Sequence, residues 1–229
     1  FINNIKIVSS ITGMGSIFLS KKLKIKLLKY AIIIFLFINF RRKSNTIIVQ
    51  NKDDYNFFSK KFKINKNKIF LIRGSGVNIN HFKYMKEPSI NPIIVTFVGR
   101  LIKDKGIETL FSAFKKVSAV NKNINLLIAG DIDVSNPSAI SKNYIDQELK
   151  ENKNVSWLGN INNIKKLWNK SHIAILPSRR EGLPKSLLEA AASGKPIIAT
   201  DVPGCREIAI NNFNALTVPL DNADELAKA

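Results

Sequence analysis

Two glutamates that flank a turn, Glu181 and Glu189, are the residues of this chain best placed to do chemistry. They lie in the run 177–189, P-S-R-R-E-G-L-P-K-S-L-L-E, directly after the apolar segment 172–176, which is typical of a buried parallel strand. A strand, a Gly-Pro turn and a helix starting near Lys185 build sites at the carboxyl edge of an open α/β sheet. The N-terminus of such a helix favours a phosphate. The two carboxylates can then reach hydroxyl groups on either side, so the pattern predicts a site for a sugar, a diphosphate and a ribose.

A second cluster precedes this one in the run 98–106, V-G-R-L-I-K-D-K-G. Gly99 follows a predicted strand and lets the backbone approach a ligand closely. Arg100 and Lys105 supply two cations near the start of a helix, and such cations can neutralise a diphosphate. Lys103 competes with Lys105 for the second position. The alternative, when these two residues are taken alone, is that they are ordinary solvated side chains at the surface.

The positions of these clusters follow from alternating strand and helix patterns along the chain. In the first part of the chain, the patterns predict strands at residues 4–9 (weak), 46–50 and 68–72. They also predict a basic and apolar helix at 21–43 and a helix at 53–61 with Asp53 as its N-cap. Residues 81–91 carry one proline, Pro88, lie directly before a second, Pro92, and show no clear periodicity, which predicts a linker between a domain at 1–80 and a domain at 92–229. The second part predicts strands at 93–98, 125–129, 155–158, 172–176, 196–200 and 215–218, separated by helices at 107–119, 139–150, 164–169, from 185, and at 205–210. Successive βα units with short loops predict an α/β fold with a parallel, doubly wound sheet.

Composition limits the classes of partner. The net charge of +19 and a pI near 10 would usually point to nucleic acid, but the lysines are scattered and no nucleic-acid-binding motif occurs, so we expect none. An anionic membrane surface fits better, because residues 21–43 read K-K-L-K-I-K-L-L-K-Y-A-I-I-I-F-L-F-I-N-F-R-R-K. A helix over residues 31–40 spans about 15 Å, roughly half a hydrocarbon core, so it predicts an interfacial helix and not a transmembrane one. The alternative is a helix packed on the first sheet with its lysines exposed.

The single cysteine, Cys205, excludes an internal disulfide and suits a reducing compartment. The chain starts at Phe1 and stops at Ala229 inside a helical pattern, so it is interpreted as a fragment lacking part of its N-terminal domain and its final helix.

Residues 177–219 resemble the E-x7-E region of the retaining GT-B glycosyltransferases, and most closely family 4 (group 1), whose members build capsular polysaccharide, O-antigen and other lipid-linked glycans in bacteria. Several residues fit this region besides the two glutamates: Gly182, Pro184, Gly194, Lys195, Pro196, Asp201, Pro203 and Gly204. Residues 49–54 (V-Q-N-K-D-D) and 72–77 (I-R-G-S-G-V) narrow the resemblance to enzymes that extend undecaprenyl-linked sugars. The fold implied is GT-B, with two Rossmann-like domains of which the N-terminal one is incomplete here.

The resemblance also implies a role for each site residue. Glu181 would contact donor-sugar hydroxyls and stabilise positive charge at the anomeric carbon, and Glu189 would bind the ribose. Arg100 and Lys105, beside Gly99, would contact the diphosphate. Backbone contacts to the sugar and phosphates are implied for Gly182, Leu183, Pro184, Lys185 and Ser186. Gly159 and Ile161 would lie in the region that faces the nucleobase. Gly74 and Gly76 would belong to an interdomain loop. Pro184 lacks an N–H and cannot donate a hydrogen bond.

The implied reaction transfers a sugar from a nucleotide diphosphate, taken as UDP, to a saccharide on undecaprenyl diphosphate, with retention and without a metal or other cofactor. The enzyme would be cytoplasmic, with peripheral contact to the inner face of the membrane. Asp131 and Asp133 form a D-x-D pattern that binds Mn²⁺ in another glycosyltransferase fold, but here cationic side chains already serve the phosphates, so we expect no metal there. Two alternatives stay open: a GT-B nucleotide-sugar epimerase, which would need acids outside this chain, and a non-catalytic GT-B subunit, which would be expected to lose Glu181 or Arg100.

Overall fold

The computed structural model describes residues 5–14, 23–41, 45–61, 63–89 and 91–229. It contains two parallel sheets. The first, of three strands, has the order β1-β2-β3, with β1 at Ile7–Ile11, β2 at Asn45–Val49 and β3 at Ile69–Leu71. The described residues from β1 to Gly76, just after β3, are called the first unit below. Its core is built from alternate residues of β2, Ile47 and Val49, because successive strand side chains point to opposite faces.

Helix α1 (Leu23–Arg41) connects β1 and β2. Phe40 is buried in the core of the first unit, and Leu36 and Phe37 pack partly against it. Other apolar side chains of the same helix are exposed, among them Ile34 and Phe35. One face therefore packs on the sheet and another presents apolar surface to solvent. Among the helices of the described residues, none is both long enough and apolar enough to cross a bilayer.

Helix α2 (Lys52–Asn56) follows β2 and continues as a π-helical turn at Phe57–Lys61. The predicted N-cap at Asp53 is wrong, because the N-cap lies two residues earlier. Asn51 is the N-cap, and its side-chain oxygen accepts a hydrogen bond from the Asp54 amide at 2.8 Å. The pattern N-x-x-D places a cap and an acidic residue on the first turn, as in a capping box.

Between β3 and β4 the described residues form neither helix nor strand, and this segment packs on the second sheet. The Met85 amide donates to the Ser193 carbonyl at 3.0 Å. His172, buried at the start of its strand, accepts from the Ile94 amide at 2.9 Å through Nδ1, and its Nε2 lies 3.1 Å from the Pro88 carbonyl oxygen. His172 is thus a satisfied core residue. The predicted boundaries at residues 80 and 92 fall within this segment, and the domain limits stay a prediction.

The second sheet has six strands, all parallel, in the order β6-β5-β4-β7-β8-β9. The strands are β4 (Ile93–Val98), β5 (Ile124–Ala129), β6 (Val155–Trp157), β7 (Ile173–Leu176), β8 (Ile197–Thr200) and β9 (Ala215–Val218). The helices between and after them are α3 (Ile107–Val120), α4 (Lys142–Glu151), α5 (Ile164–Lys170), α6 (Lys185–Ala192) and α7 (Ala223–Lys228). These elements, β4 to α7, are called the second unit. The predicted parallel α/β fold is confirmed.

The predicted helix at residues 205–210 is a single 3-10 turn, Cys205–Glu207. Asn214 explains why the helix does not continue. Its side chain accepts from the Ile210 amide at 2.8 Å and donates to the Ile208 carbonyl at 2.9 Å, so these backbone groups are satisfied outside a helix.

The strand order places β4 beside β7, and the chain order of the sheet reverses there. In open α/β sheets, ligands bind outside the carboxyl ends of the strands at such a switch point. The run 98–106 follows β4 and the run 177–189 follows β7. The topology therefore brings the two clusters found in the sequence to the same crevice.

Candidate active site

A cavity of about 280 Å³ opens at this crevice, between the two units. The first unit contributes residues that follow β1, and the second contributes residues that follow β4 and β7. Its lining is Thr12, Gly13, Met14, Arg100, Ile102, Asp104, Lys105, Asn136, Arg180, Glu181 and Gly182. Four of the residues singled out in the sequence are thus brought together here: Arg100, Lys105, Glu181 and Gly182.

The carboxylate of Glu181 is held by two donors from the second unit. Lys105 Nζ and Ser178 Oγ each lie 2.6 Å from Glu181 Oε1. The Lys105 and Glu181 side chains are 20% and 10% exposed, so their ion pair is shielded from much of the solvent. The Glu181 amide donates to the Pro203 carbonyl at 3.0 Å, which fixes the main chain as well. Glu181 is therefore an anion in a defined position at the cavity wall, next to a cation.

Two glycines allow the close packing around Glu181. Gly204 has a positive φ of 84°, and a Cβ there would lie 2.5 Å from the Glu181 carbonyl oxygen. A Cβ on Gly182 would lie 1.6 Å from the Thr12 carbonyl oxygen and 2.6 Å from Gln50 Oε1. The turn after Glu181 is therefore pressed against the ends of β1 and β2. This contact, and not a turn conformation alone, explains the Glu-Gly sequence.

Arg100 lies at the exposed side of the cavity and is 61% exposed. Its Nη1 is 2.6 Å from Asp133 Oδ2, and Ser135 Oγ donates to Asp133 Oδ1 at 2.7 Å. The Ser135 hydroxyl and then the Arg100 guanidinium hold the pKa of Asp133 below its usual range, against the opposing effect of burial. Asp133, one of the two aspartates of the D-x-D pattern, is thus the counter-ion of Arg100, the arginine that is predicted to contact the diphosphate. Within the described ranges, no three His, Cys, Asp or Glu side chains come together as a metal site would require.

The geometry separates the two lysines that competed in the sequence. Lys105 ends the 3-10 turn Lys103–Lys105 and points to Glu181, whereas Lys103 does not line the cavity. Lys103 is 53% exposed, and its Nζ lies 3.7 Å from Glu108 Oε1. Lys105 is the lysine that a ligand beside Glu181 would contact.

The remaining residues of the E-x7-E region form the start of α6. The helix begins at Lys185, as expected, with Pro184 as its N-cap and no side-chain cap. Glu189 is buried one turn further on, and Lys185 Nζ lies 3.6 Å from its Oε1. The cavity lining contains neither of them, nor Leu183 or Ser186. The structure places Glu189 next to a helix start, but it does not bring it into the same cavity as Glu181.

The predicted nucleobase and interdomain residues also lie outside this cavity. Gly159 and Ile161 follow β6, and the Gly159 carbonyl accepts from the Gly130 amide at 2.7 Å. Gly74 lies against the side chain of Leu183, since a Cβ on it would be 3.0 Å from Leu183 Cδ2; Gly76 has open space around it. The loop with Gly74 therefore contacts the E-x7-E region from the side of the first unit.

Three residues at the junction of the two units were not singled out individually in the sequence. Arg180 Nη2 makes an ion pair with Asp54 Oδ1, and Asp54 is fully buried. Asn51 Nδ2 donates to Asp54 Oδ2 at 3.0 Å and to the Gly182 carbonyl at 3.1 Å. The N-x-x-D spacing at the start of α2 is the local signal that could have drawn attention to Asn51 and Asp54.

A second set of ion pairs joins the units at the surface. Arg73 Nε lies 2.7 Å from Glu207 Oε2, and the Lys52 amide donates to Glu207 Oε1 at 2.8 Å. Although burial opposes it, hydrogen bonds from Arg73 and from the Lys52 amide hold the pKa of Glu207 below its usual range. Arg206 Nη1 lies 3.2 Å from Asp53 Oδ1.

Comparison with known proteins agrees with this architecture. An N,N'-diacetylbacillosaminyl-diphospho-undecaprenol alpha-1,3-N-acetylgalactosaminyltransferase of Campylobacter jejuni is 26% identical over 230 residues, which cover 95% of this chain and 58% of the relative. A UDP-Gal:alpha-D-GlcNAc-diphosphoundecaprenol alpha-1,3-galactosyltransferase of Escherichia coli is 30% identical over 142 residues, covering 61% of this chain and 36% of that protein. The chain thus spans little more than half the length of the first of these relatives.

Solved structures show the same fold. Sucrose-phosphate synthase from Thermosynechococcus elongatus matches with a TM-score of 0.77 and 22% identity, over 99% of this chain and 58% of that one. Anabaena Alr3699/HepE in complex with UDP and glucose matches with a TM-score of 0.74 and 18% identity, over 96% of this chain and 60% of that one. The fold is therefore GT-B. The family described as glycosyl transferases group 1 matches residues 80–229, well over half of the chain. This chain belongs to the group 1 glycosyltransferase family.

Proposed function

We propose that this protein transfers a sugar from a nucleotide diphosphate, UDP by preference, to a saccharide carried on a lipid diphosphate. The observation that carries the proposal is the cavity at the switch point, where Arg100, Lys105 and Glu181 meet residues of the first unit. Two cations there match the two phosphates of a donor. The carboxylate beside them matches a reacting centre that becomes positive as the diphosphate departs.

In this scheme Arg100 and Lys105 neutralise negative charge on the departing diphosphate. The bond between the anomeric carbon and the diphosphate oxygen breaks, and the oxygen keeps the electron pair. Glu181 stabilises the positive charge on the sugar ring and accepts hydrogen bonds from its hydroxyls, while the acceptor hydroxyl adds to the anomeric carbon and gives its proton to the departing diphosphate oxygen. Lys105 Nζ lies 2.6 Å from Glu181 Oε1, so this one ammonium group can interact with both the diphosphate and the carboxylate.

Donor and stereochemistry are proposed from the relatives. The name of the Escherichia coli relative specifies UDP-Gal and an alpha-1,3 product, and the Anabaena structure holds UDP. A UDP-galactose donor is itself α-linked, so an α product corresponds to retention. We assign Glu189 to the ribose of such a donor and residues 159–161 to its base, as the family resemblance implies.

The acceptor is proposed by the same route. Both undecaprenol-named relatives act on a sugar attached to diphosphoundecaprenol, and another relative, 30% identical over 59% of this chain, is a Staphylococcus aureus glycosyltransferase of capsular polysaccharide biosynthesis. A role in bacterial surface polysaccharide synthesis, of capsule or O-antigen type, is therefore proposed. The acceptor would approach from the side of the cavity formed by residues 12–14.

Transfer is proposed to need no metal ion. Support comes from the two cations in the cavity and from Asp133, which is already bound by Arg100 and Ser135. Turnover should accordingly persist at full rate in EDTA, and restoration of a lost rate by Mn²⁺ would contradict the proposal.

A cytoplasmic enzyme held at the inner face of the membrane is proposed from α1. Its exposed apolar side chains include Leu27, Ile34, Phe35 and Ile38, on a chain of net charge +19. Binding to vesicles that contain anionic lipid should fall as salt rises, because screening weakens the electrostatic part. Equal sedimentation with neutral and anionic vesicles would remove this part of the proposal.

A donor screen with the purified protein tests the main proposal. Radiolabelled UDP-sugars are offered with a synthetic lipid-diphosphate GlcNAc acceptor, and the lipid product is separated and its anomeric configuration read by NMR. One donor should give a lipid-linked disaccharide of retained configuration. Release of free sugar without transfer would favour the epimerase or hydrolase class, and no consumption of any nucleotide-sugar would contradict the proposal.

A further inference from the structure

The loop that carries Glu181, residues 178–182, is fastened to the first unit on both sides of that glutamate. On one side, Arg180 pairs with the fully buried Asp54. On the other side, the Gly182 carbonyl accepts from Asn51 Nδ2 at 3.1 Å. Asn51 and Asp54 are joined to each other at 3.0 Å and 2.8 Å, so both anchors belong to one polar cluster at the start of α2.

The second unit fixes a different part of the same residue. The Glu181 carboxylate is held by Lys105 and Ser178, and its amide by the Pro203 carbonyl. The second unit therefore sets where the carboxylate lies, whereas the first unit holds the residues before and after it. Any shift between the units must either break the cluster at α2 or turn the main chain at Glu181.

The Asp54–Arg180 pair is more buried than the other two charged contacts between the units among the described residues, Arg73–Glu207 and Arg206–Asp53. The Asp54 side chain is 0% and the Arg180 side chain 20% exposed. The neighbouring pair of Asp53 and Arg206 is 36% and 42% exposed, and exposed pairs contribute little. Removing one partner of a buried pair leaves an uncompensated charge, which is strongly unfavourable.

We propose that Asp54, Arg180 and Asn51 are positioning residues. They fix the position of Glu181 relative to the first unit, so that the catalytic carboxylate is correctly placed when the units are closed. This inference rests on the proposed glycosyl transfer, because it gives these residues a role in that reaction. None of the three needs to touch the donor. Arg180 lines the cavity, but its Nη2 is paired with Asp54.

Steady-state kinetics of Asp54→Asn and Arg180→Gln test the proposal, with Asp53→Asn as the matched control on the same helix turn. A misplacement of about 1 Å can reduce turnover by about 100-fold, so kcat should fall by about 30- to 300-fold in both variants. In Asp54→Asn the dissociation constant for UDP should change by less than about threefold, because Arg100, Lys105 and Glu189 are untouched. Asp53→Asn should stay within about twofold of the unsubstituted protein in both quantities.

The double variant Asp54→Asn/Arg180→Gln separates positioning from general damage. If the two residues act as one unit, the double variant is no slower than the slower single variant, since effects within one network are not additive. Asn51→Ser provides a second route, because serine keeps the N-cap but loses the amide donor to Gly182. It should lower kcat by about tenfold without loss of the folded state.

Rates are normalised to the fraction of protein that binds UDP, so that partial unfolding is not counted as lost catalysis. Unchanged normalised kcat in Asp54→Asn, or an equal loss in Asp53→Asn, overturns the positioning role while transfer by the unsubstituted protein still supports the proposed function.

Amide hydrogen exchange tests the same inference without any activity. Exchange at the Glu181 amide should rise by about tenfold or more in Asp54→Asn and stay unchanged in Asp53→Asn. If the unsubstituted protein transfers no sugar, this selective increase still supports the conclusion that Asp54 fixes the position of the Glu181 loop. Only the proposed function then fails. Equal exchange in the two variants overturns the inference.

Discussion

Replacement of Lys105 by methionine should weaken UDP binding selectively, and the expected size follows from the surroundings of the lysine. A unit charge about 4 Å from a phosphate contributes about 4 kcal/mol at an effective dielectric constant of 20. In the free protein Lys105 already pairs with Glu181 at 2.6 Å, so part of this energy is offset when the ligand enters. The loss of one hydrogen bond to a charged group, about 1.5–3 kcal/mol, is therefore the better measure.

This free energy corresponds to a roughly 10- to 150-fold higher dissociation constant for UDP. Isothermal titration calorimetry at fixed ionic strength measures it. Lys103→Met is the matched control, since Lys103 is exposed and lies outside the cavity. It should alter the dissociation constant by less than about twofold.

The double variant Lys105→Met/Glu181→Gln tests the physical reason for the loss. In Lys105→Met the Glu181 carboxylate keeps Ser178 as a donor but loses its neighbouring cation, so it repels the incoming diphosphate. Neutralising Glu181 should remove that repulsion and restore binding by about threefold or more. If Lys105→Met binds UDP as the unsubstituted protein does, or if Lys103→Met is the weaker binder, the assignment of Lys105 is wrong.

Three further predictions concern the E-x7-E region. Glu189→Ala should weaken UDP binding by about 1–3 kcal/mol in calorimetry, while Lys185→Met should leave it unchanged; equal effects would contradict the ribose assignment. Glu181→Ala should lower kcat by about 100-fold or more with a much smaller change in UDP affinity, and equal losses in both would refute its transition-state role. Gly182→Ala should lower the thermal midpoint and kcat together, because its Cβ would lie 1.6 Å from a carbonyl oxygen of the first unit. Gly13→Ala, whose Cβ would meet Gly182 at an ordinary 3.5 Å, is the control, and similar midpoints for the two would count against this close packing.

The second sheet was predictable from the sequence because its strands are short, nearly continuous apolar runs. β4 and β9 have the predicted limits, and β5 and β8 begin within one residue of them. Strands buried on both faces need such runs, and the turns between them carry glycine or polar residues. The position of the site followed from the same patterns, since the runs after β4 and β7 must meet wherever those strands are neighbours.

The junction of the units was not predictable in the same way. Asp54 and Arg180 lie 126 residues apart, and no periodic pattern relates them. A basic residue before Glu181 is locally indistinguishable from a solvated one, and its burial depends on where the first unit lies. The N-cap of α2 was misplaced because both Asn51 and Asp53 are good capping residues, and the choice is settled by contacts of Asn51 with the Glu181 loop.

The charges of the cavity suggest how a donor would exchange partners on entry. Arg100, Lys105 and Arg180 each pair with one carboxylate among the described residues, and these pairs differ in exposure. Arg100 is the most exposed, so its pair with Asp133 is the least costly to open, and its guanidinium can turn to a phosphate first. Lys105 is partly buried and adjoins Glu181, so it can contact the diphosphate without leaving the carboxylate. Arg180 faces a fully buried aspartate whose charge would be left unpaired, so it stays in place. The cation that cannot contact a phosphate without leaving its partner unpaired is thus the one that joins the two units, and the two that can contact one are those assigned to the diphosphate.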